Sequence, residues 1–554
     1  MSRRERIAPL LPHAVFGLLF LATFNRWMLP FHDHARDIHT AARLAGGELL
    51  YRDVGWHYGP LPPYLDALAL AVFGKSLATF LWLRTAFALL GVEALRRLCL
   101  RLIPDRLLAA VAAAFTVATC FFLGLGGTYA FPYSIAALEG TVGTWWAVEL
   151  ALAAASWPAS LLAGLVAGLA AGAKLEFVPA ALAGCGFALL CRRPRRETLS
   201  ATALATLVAA AAYLGPILLL GRETLVQHGL LVASRVPDTW RRFYEVVFYG
   251  GHTRDEFLSF GWLYLIPSAL LFAAVLFLSR AAPERPRVPL TAALGVLGAL
   301  AGWAIPQNGE LHVLLPFAVA ALLLEALALW KERGDPARVA AVSVGLAALP
   351  ALARQPFLLA ISTYGAFAAP LALVTSLGFL ARRLRPGAGF TAFLAGLALA
   401  QMHARATYYR TRPMEKLVFA RGSFYLPPDQ AAVVKLGVQA IERTTPPGAY
   451  VAVFPEPGLF LFLTGRRNPF VDEVNMAGMQ TPQSEAEMIA ALDTHRPAAG
   501  LVLDISMDIW GVPTSGIDHL TRFRAEFLKR MQPVAVLGGA GPGAVKGTFY
   551  LPKP

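Results

Sequence analysis

LLPHAVFGLLFLATFNRWMLPFHDHARDIH, residues Leu10 to His39, is the stretch on which the fold reading turns. From Leu11 it is apolar and uncharged until Arg26, and then it packs three His, two Asp and one Arg into the eight residues from His32 to His39. The apolar part is the first of about thirteen runs, recurring to Met402, near the roughly 17 to 25 residues a helix needs to cross a bilayer. Arg3, Arg4 and Arg6 precede it as they would a signal peptide. No small-residue cleavage site follows, however, and Arg26 with Trp27 has the look of an interfacial anchor. A retained helix with a cytoplasmic N-terminus is expected.

Composition agrees. Of 554 residues 56% are hydrophobic and only 15% charged, which no ordinary soluble domain shows. The net charge of +14 does not call for nucleic acid. Its basic residues cluster at alternate helix ends, at Arg96/Arg97/Arg101, Arg192/Arg193/Arg195/Arg196, Arg280/Arg285/Arg287, Lys331/Arg333 and Arg382/Arg383/Arg385. That is the positive-inside pattern. Cys99, Cys120, Cys185 and Cys191 lie in or beside spans, so neither a disulfide framework nor a cysteine metal site is implied.

With the N-terminus inside, residues 31–75 form an outer loop, as do 127–140, 221–257 and 306–312. An odd number of spans leaves everything after Gln401 outside too. The expected organisation is a membrane domain over 1–402 and an extracytoplasmic domain over 403–554. In the latter, apolar runs shorten to strand length and alternate with amphipathic helical patterns: DQAAVVKLGVQAIERT, EAEMIAALDTHR and GIDHLTRFRAEFLKRM as helices, YVAVF, GLVLDI and PVAVLGG as strands. The fold class is therefore a polytopic α-helical membrane protein with a C-terminal α/β domain. In the first outer loop, ARDIHTAARLAGG reads as a short helix with Ile38, Ala41, Ala42 and Ala45 on one side and Gly46/Gly47 as its stop. PLPPYLDALALAVFG reads as a second helix, too short for a span and so expected at the membrane interface.

The cluster His32, Asp33, His34, Asp37, His39 admits three readings: a divalent-metal site, a solvated juxtamembrane helix, or a carboxylate that does chemistry. Its spacing matches no established ligand signature. Asp33 and Asp37 stand one turn apart, and Arg36 lies between them.

The order of elements resembles the lipid-linked-sugar glycosyltransferases of the C superfamily, nearest in pattern to protein mannosyltransferases, the aminoarabinose transferase of lipid A and the rhizobial galacturonosyltransferases. The likeness rests on an Asp-led motif after the first span, a helix closing in a Gly pair, LLYRDV, WHYGP and a helix ending VFG. AGLVAGLAAGAKLEF resembles the family's helix ending in an outer-surface Lys, and GELHVLLPFAVA its Glu-Arg-Tyr followed by a Pro-bearing helix. Where many members carry Asp-Glu this chain has Asp33-His34; where some have Lys-Pro it has Gly59-Pro60; where Arg-Tyr is common it has Leu311-His312.

The resemblance implies inverting transfer of a sugar from a polyprenyl-phosphate donor to a hydroxyl of a lipid, glycan or protein acceptor, at the outer face of a bacterial inner membrane. Asp33 would be the base, with Asp37 and His34 supporting it or supplying a second acid. One carboxylate can suffice, because a phosphate departs as a stable anion whereas a glycosidase must protonate its leaving oxygen. Arg36 and Lys174 are candidate contacts to the donor phosphate; Glu310, His312 and Tyr58 are candidates for acceptor binding or support of the centre. No cofactor is required, a divalent cation remaining the alternative. No Asp-x-Asp occurs to hold a nucleotide sugar, and GGAGPGAVKGT, though glycine-rich, falls between two strand patterns and reads as a hairpin loop. Two rivals stay open: a secondary transporter, which would carry ionisable groups at the bilayer midplane in repeated halves, and a non-catalytic envelope-assembly protein on the same scaffold.

Overall fold

The computed structural model describes residues 8–31, 33–124, 128–236, 238, 273, 277, 288–304, 314–332, 334–353, 365–384, 387–475, 480–505, 516–539 and 545–554. It divides into two compact units built from separated segments. Met1–Phe24, Arg84–Ala211 and Phe248–Thr411 form the first; Asn25–Leu83, Ala212–Val247 and Arg412–Pro554 form the second.

The first unit is helical. Its Ala- and Gly-rich helices approach closely because small residues leave backbone against backbone. A Cβ on Gly396, in Ala388–Thr411, would fall 2.0 Å from the Gly295 carbonyl oxygen of Val288–Ala304, and one on Gly298 would fall 2.1 Å from that of Phe393. This is the packing expected where no water drives helices together. Basic residues gather at helix ends within this unit. Arg101 pairs with Glu149 at 2.5 Å; Arg382 pairs with Glu325 at 3.1 Å and donates to the Leu102 carbonyl at 2.8 Å. The ends of Leu77–Leu102 and Gly365–Leu384 therefore lie together. Among the described residues two helices, Leu77–Leu102 and Arg195–Leu220, have the length and hydropathy of a span; several other apolar helices are shorter. Ala388–Thr411 carries helix beyond residue 402, where the sequence reading placed the domain limit.

The second unit opens with helix α1 (Asp33–Leu44), which Gly46 and Gly47 end, the latter at φ +96°. Helix α2 (Leu61–Phe73) starts on prolines and stops at Gly74. It buries Pro62, Asp66, Ala69 and Leu70 and exposes Tyr64, Leu68 and Val72 at helical spacing. Helix α3 (Arg222–His228) follows. The C-terminal residues begin with an antiparallel hairpin that the sequence patterns did not reveal, β1 (Glu415–Phe419) and β2 (Gly422–Leu426). Helix α4 (Pro428–Thr444) leads to β3 (Val451–Phe454), and a second unforeseen element, α5 (Gly458–Thr464), comes next. Then come α6 (Pro482–His495), β4 (Ala499–Asp504), α7 (Thr521–Arg530), β5 (Met531–Gly538) and β6 (Lys546–Pro552).

The sheet runs β3-β4-β6-β5, with β3 and β4 parallel and the other pairs antiparallel. Phe454, Phe470, Phe523 and Phe527 fill the core beside it. The helix expected from Gly516 is shorter than its pattern. Gly516 takes φ +57° and a turn precedes Thr521, so only the last part is helix. The β5 and β6 pairing brackets the glycine-rich GGAGPGAVKGT stretch, as read.

Candidate active site

Helix α1 is buried along nearly its whole length, its charges included. That departs from a solvated juxtamembrane helix, and the reason is pairing: each buried charge needs a partner to offset its lost hydration. In the first turn Arg36 donates to Asp33 Oδ1 at 2.8 Å and, through Nη2 and Nε, to Asp37 Oδ1 at 2.9 and 3.2 Å. The 3.6-residue helical period makes this possible, setting Asp33 and Asp37 on one face with Arg36 beside them. The guanidinium lies over the rings of Trp56 and Tyr58, at 5.0 and 5.3 Å from their centroids. Those rings meet edge to face, and the Trp56 indole N–H donates to the Gly59 carbonyl, so WHYGP forms an aromatic wall against the arginine. Asp33 keeps its second oxygen, Oδ2, without a hydrogen-bond partner among the described residues.

The histidines of the cluster go separate ways. His34 Nδ1 accepts the Leu29 N–H, and His39 Nδ1 meets Glu473 Oε2 at 2.8 Å. His32 lies outside the described residues. No group of three or more His, Cys, Asp or Glu suited to a metal ion occurs among the described residues.

Residues remote in sequence complete the surroundings. Glu473, 2% exposed, also takes Arg43 at 2.6 Å and the Asn468 amide at 3.2 Å. Burial works against its charge, but His39 and Arg43 outweigh it and hold the carboxyl down to about 2. His228 bridges Asp472, at 3.0 Å, and Glu487, at 3.1 Å. Desolvation opposes its protonated form, yet Asp472 and Glu487 prevail and raise it. His57 is pushed down to about 4 by desolvation and the Arg36 charge, against the pull of Asp472, and is neutral at pH 7.

Glu456 is different. It is 1% exposed, and neither carboxyl oxygen has a hydrogen-bond partner among the described residues. Burial, then the charge of Asp33, push its proton affinity well above the carboxylate range, Arg36 opposing and Asp37 adding to the rise. The sequence reading missed Glu456, Glu473, His228 and Asp472. Pro455-Glu456-Pro457-Gly458 was the one local oddity that could have drawn notice.

Of the residues singled out from sequence, Asp33, His34, Arg36, Asp37 and Tyr58 belong to this one unit. Lys174 belongs to the first unit, directly after helix Trp157–Ala173, with its ammonium 3.1 Å from Glu176. Glu310 and His312 lie outside the described residues.

No family model and no curated protein matches the chain. Among solved structures it is similar to ArnT from Cupriavidus metallidurans bound to undecaprenyl phosphate, with a TM-score of 0.50 at 12% identity, covering 99% of this chain and 98% of that one. The same enzyme in the apo state aligns at a TM-score of 0.40 and 14% identity over 99% of this chain and 98% of that one. A mutant of the arabinofuranosyltransferase AftD from Mycobacteria aligns at 0.42 and 16% identity over all of this chain and 42% of its own length. These neighbours are glycosyltransferase C enzymes, the superfamily the sequence motifs resemble. At such identity the likeness to ArnT is one of fold.

Proposed function

We propose that the chain transfers a hexosyl or pentosyl group, with inversion, from a polyprenyl-phosphate donor to an acceptor hydroxyl at the outer face of a bacterial inner membrane. The observation that carries the proposal is the Asp33–Arg36–Asp37 arrangement at the start of a buried helix. It presents a carboxylate oxygen without a hydrogen-bond partner among the described residues, on a side chain whose other oxygen is held by Arg36. The ArnT-like fold supplies the context, and ArnT's own bound undecaprenyl phosphate favours a donor of that class. In the reaction the acceptor oxygen attacks the anomeric carbon, its proton passes to Asp33 Oδ2, and the bond from that carbon to the phosphate oxygen breaks. The lipid phosphate leaves as an anion, so no acid is needed on that side. A single displacement inverts the centre. Arg36 fixes the orientation of Asp33 and offsets the charge of the two aspartates. Lys174 is the further cation proposed for the donor phosphate, and Tyr58, stacked on Arg36, supports the centre.

The exposed apolar stripe of α2, Tyr64, Leu68 and Val72, suits a helix lying on the membrane surface beside the site. Incubating purified protein with radiolabelled polyprenyl-phosphate sugars and an extract of envelope acceptors tests the reading. Wild type should label an acceptor, and Asp33→Asn should lose about 10² to 10⁴ in rate while remaining folded. Transfer by Asp33→Asn near the wild-type rate would remove Asp33 as the base.

A further inference from the structure

We propose that His228 is a positioning residue that works as an imidazolium. Held between the Asp472 and Glu487 carboxylates, it clamps the loop carrying Trp56 to the C-terminal residues, and the clamp opens on the alkaline side when the ring gives up a proton. The inference deepens the transfer reading above and rests on it for its functional part. Helix α3 has only seven residues, too few to persist alone in water. Ties to residues remote in sequence hold it. The Gln227 amide donates to Gln483 Oε1 of α6 at 2.9 Å. The His228 carbonyl accepts the Trp56 N–H at 2.8 Å, and beside it the Gly55 N–H donates to the Val471 carbonyl, also at 2.8 Å. A Cβ on Gly55 would fall 2.6 Å from Asp472 Oδ1, so the loop backbone is pressed onto that carboxylate. Loop, α3 and C-terminal residues thus meet at the His228 ring, whose Nδ1 lies 3.0 Å from Asp472 and whose Nε2 lies 3.1 Å from Glu487. Trp56 carries the arrangement on to Arg36, whose guanidinium it faces, and Arg36 holds Asp33.

A carboxylate accepts hydrogen bonds and donates none, so an imidazole that faces one at each nitrogen makes both bonds only when both nitrogens carry protons. The neutral ring has a single N–H. Asp472, its side chain 10% exposed against 43% for Glu487, has the stronger claim on that proton, and the tie given up is the one to α6. Other groups bear on the junction. Arg235, which donates to the Gln227 carbonyl, opposes a charge on the ring; Glu223, one turn back on α3, accepts from the Gln227 amide at 3.3 Å; His57 on the loop is neutral at pH 7. Burial opposes the charge more than Arg235 does, yet Asp472 and then Glu487 prevail and raise His228 above its ordinary value of 6.5. What the charge contributes to stability is therefore complete below pH 6.5 and is lost as pH rises through the raised value.

The test has two arms on full-length protein in detergent. Thermal unfolding without any donor, followed against pH, compares wild type with His228→Gln and Glu487→Gln. Wild type should exceed His228→Gln in Tm below pH 6.5, and the gap should close as pH rises through the His228 value. In Glu487→Gln the side-chain amide can donate to the bare Nε2 of a neutral ring, so the clamp holds without a charge. Its Tm relative to wild type should rise over the range in which that gap closes. A gap of one size at every pH, or a Glu487→Gln profile parallel to wild type, overturns the clamp whether or not the protein transfers sugar.

In the transfer arm, wild-type kcat should fall about tenfold along an alkaline limb that shares its midpoint with the Tm gap, because the aromatic wall behind Arg36 loses its fixed place. Glu487→Gln should lack that limb, and His228→Gln should show the lowered kcat at every pH. KM for the donor should stay level throughout, since the clamp acts through Trp56 and Arg36. An alkaline limb that persists in Glu487→Gln, or a loss that falls on KM alone, overturns the positioning role. Failure of wild type to transfer any sugar, with the Tm gap titrating as described, would instead count against the transferase reading and leave the clamp standing.

Discussion

Arg36 holds two carboxylates at once through nitrogens spread across its planar guanidinium, an arrangement that the single nitrogen of an ammonium does not reproduce. Arg36→Lys therefore should not be conservative. A lysine can satisfy one aspartate, leaving the other buried and unpaired. Transfer should drop about tenfold or more, with the loss in kcat if Arg36 orients the base and in KM if it binds the donor phosphate directly. Steady-state kinetics with varied donor decides between these.

A second test bears on the histidines. With His34 and His39 turned to Leu29 and Glu473, chelator treatment should leave transfer nearly intact, and metal analysis of the purified protein should find no stoichiometric ion. Loss of activity on chelation, restored by a divalent cation, would revive the metal reading through His32. At this scale the sequence disclosed half of the side chains gathered at the candidate site. Asp33, Arg36 and Asp37 show themselves by helical spacing, because their partners are within four residues. Glu473 meets His39 across 434 positions, and no local pattern carries a contact of that separation.

At the scale of elements, the buried apolar residues of α1 are Ala35, Ile38, Ala41 and Leu44, and ionic ties join them. One such tie is Glu473, bound to His39 and Arg43 together. Its carboxyl is held near 2, below the ordinary value of 4.5, so its contribution to stability is present above the ordinary value and is lost as pH falls through about 2. Wild-type Tm should therefore decline on acidification between those values. Glu473→Gln should be less stable at pH 7 by about 3 to 5 kcal/mol, because it leaves Arg43 and His39 without their anion, and its Tm should vary less over the same acid range. A variant as stable as wild type at neutral pH would show that the tie contributes nothing. The sequence patterns recovered α1, α2, α4, α6 and strands β3 to β5, whose periodicity is strong. They passed over β1, β2 and α5. The hairpin strands have five residues each, and α5, GLFLFLT, is apolar on every side, so neither offers a period to read.

At the scale of the whole molecule, the division of the chain cuts across its linear order. Asn25–Leu83 joins the C-terminal residues in one compact unit, which only long-range pairing could reveal. On the positive-inside rule the Arg clusters give an expectation of which way the chain faces the membrane. Arg101 and Arg382, 281 positions apart by their numbers, sit at helix ends brought together through Leu102, each with its acidic partner. Basic residues retained on one side during insertion mark that side as cytoplasmic. Ala388–Thr411 begins just beyond Arg382 and Arg383 and runs 24 residues, about 36 Å at 1.5 Å per residue, which matches the roughly 30 Å hydrocarbon layer in length alone, its hydropathy falling short of the two spans named above. The residues after Thr411, with the sheet and Glu456, should then be extracytoplasmic, on the side where a lipid-linked donor rather than a nucleotide sugar is at hand. Alkaline phosphatase fused at Arg412 should be active and a cytoplasm-dependent fluorescent reporter at the same position dark, while both results should reverse for fusions at Arg385. A bright cytoplasmic reporter at Arg412 would invert the chain and remove the lipid-donor argument with it, since the candidate site would then face the nucleotide-sugar pool.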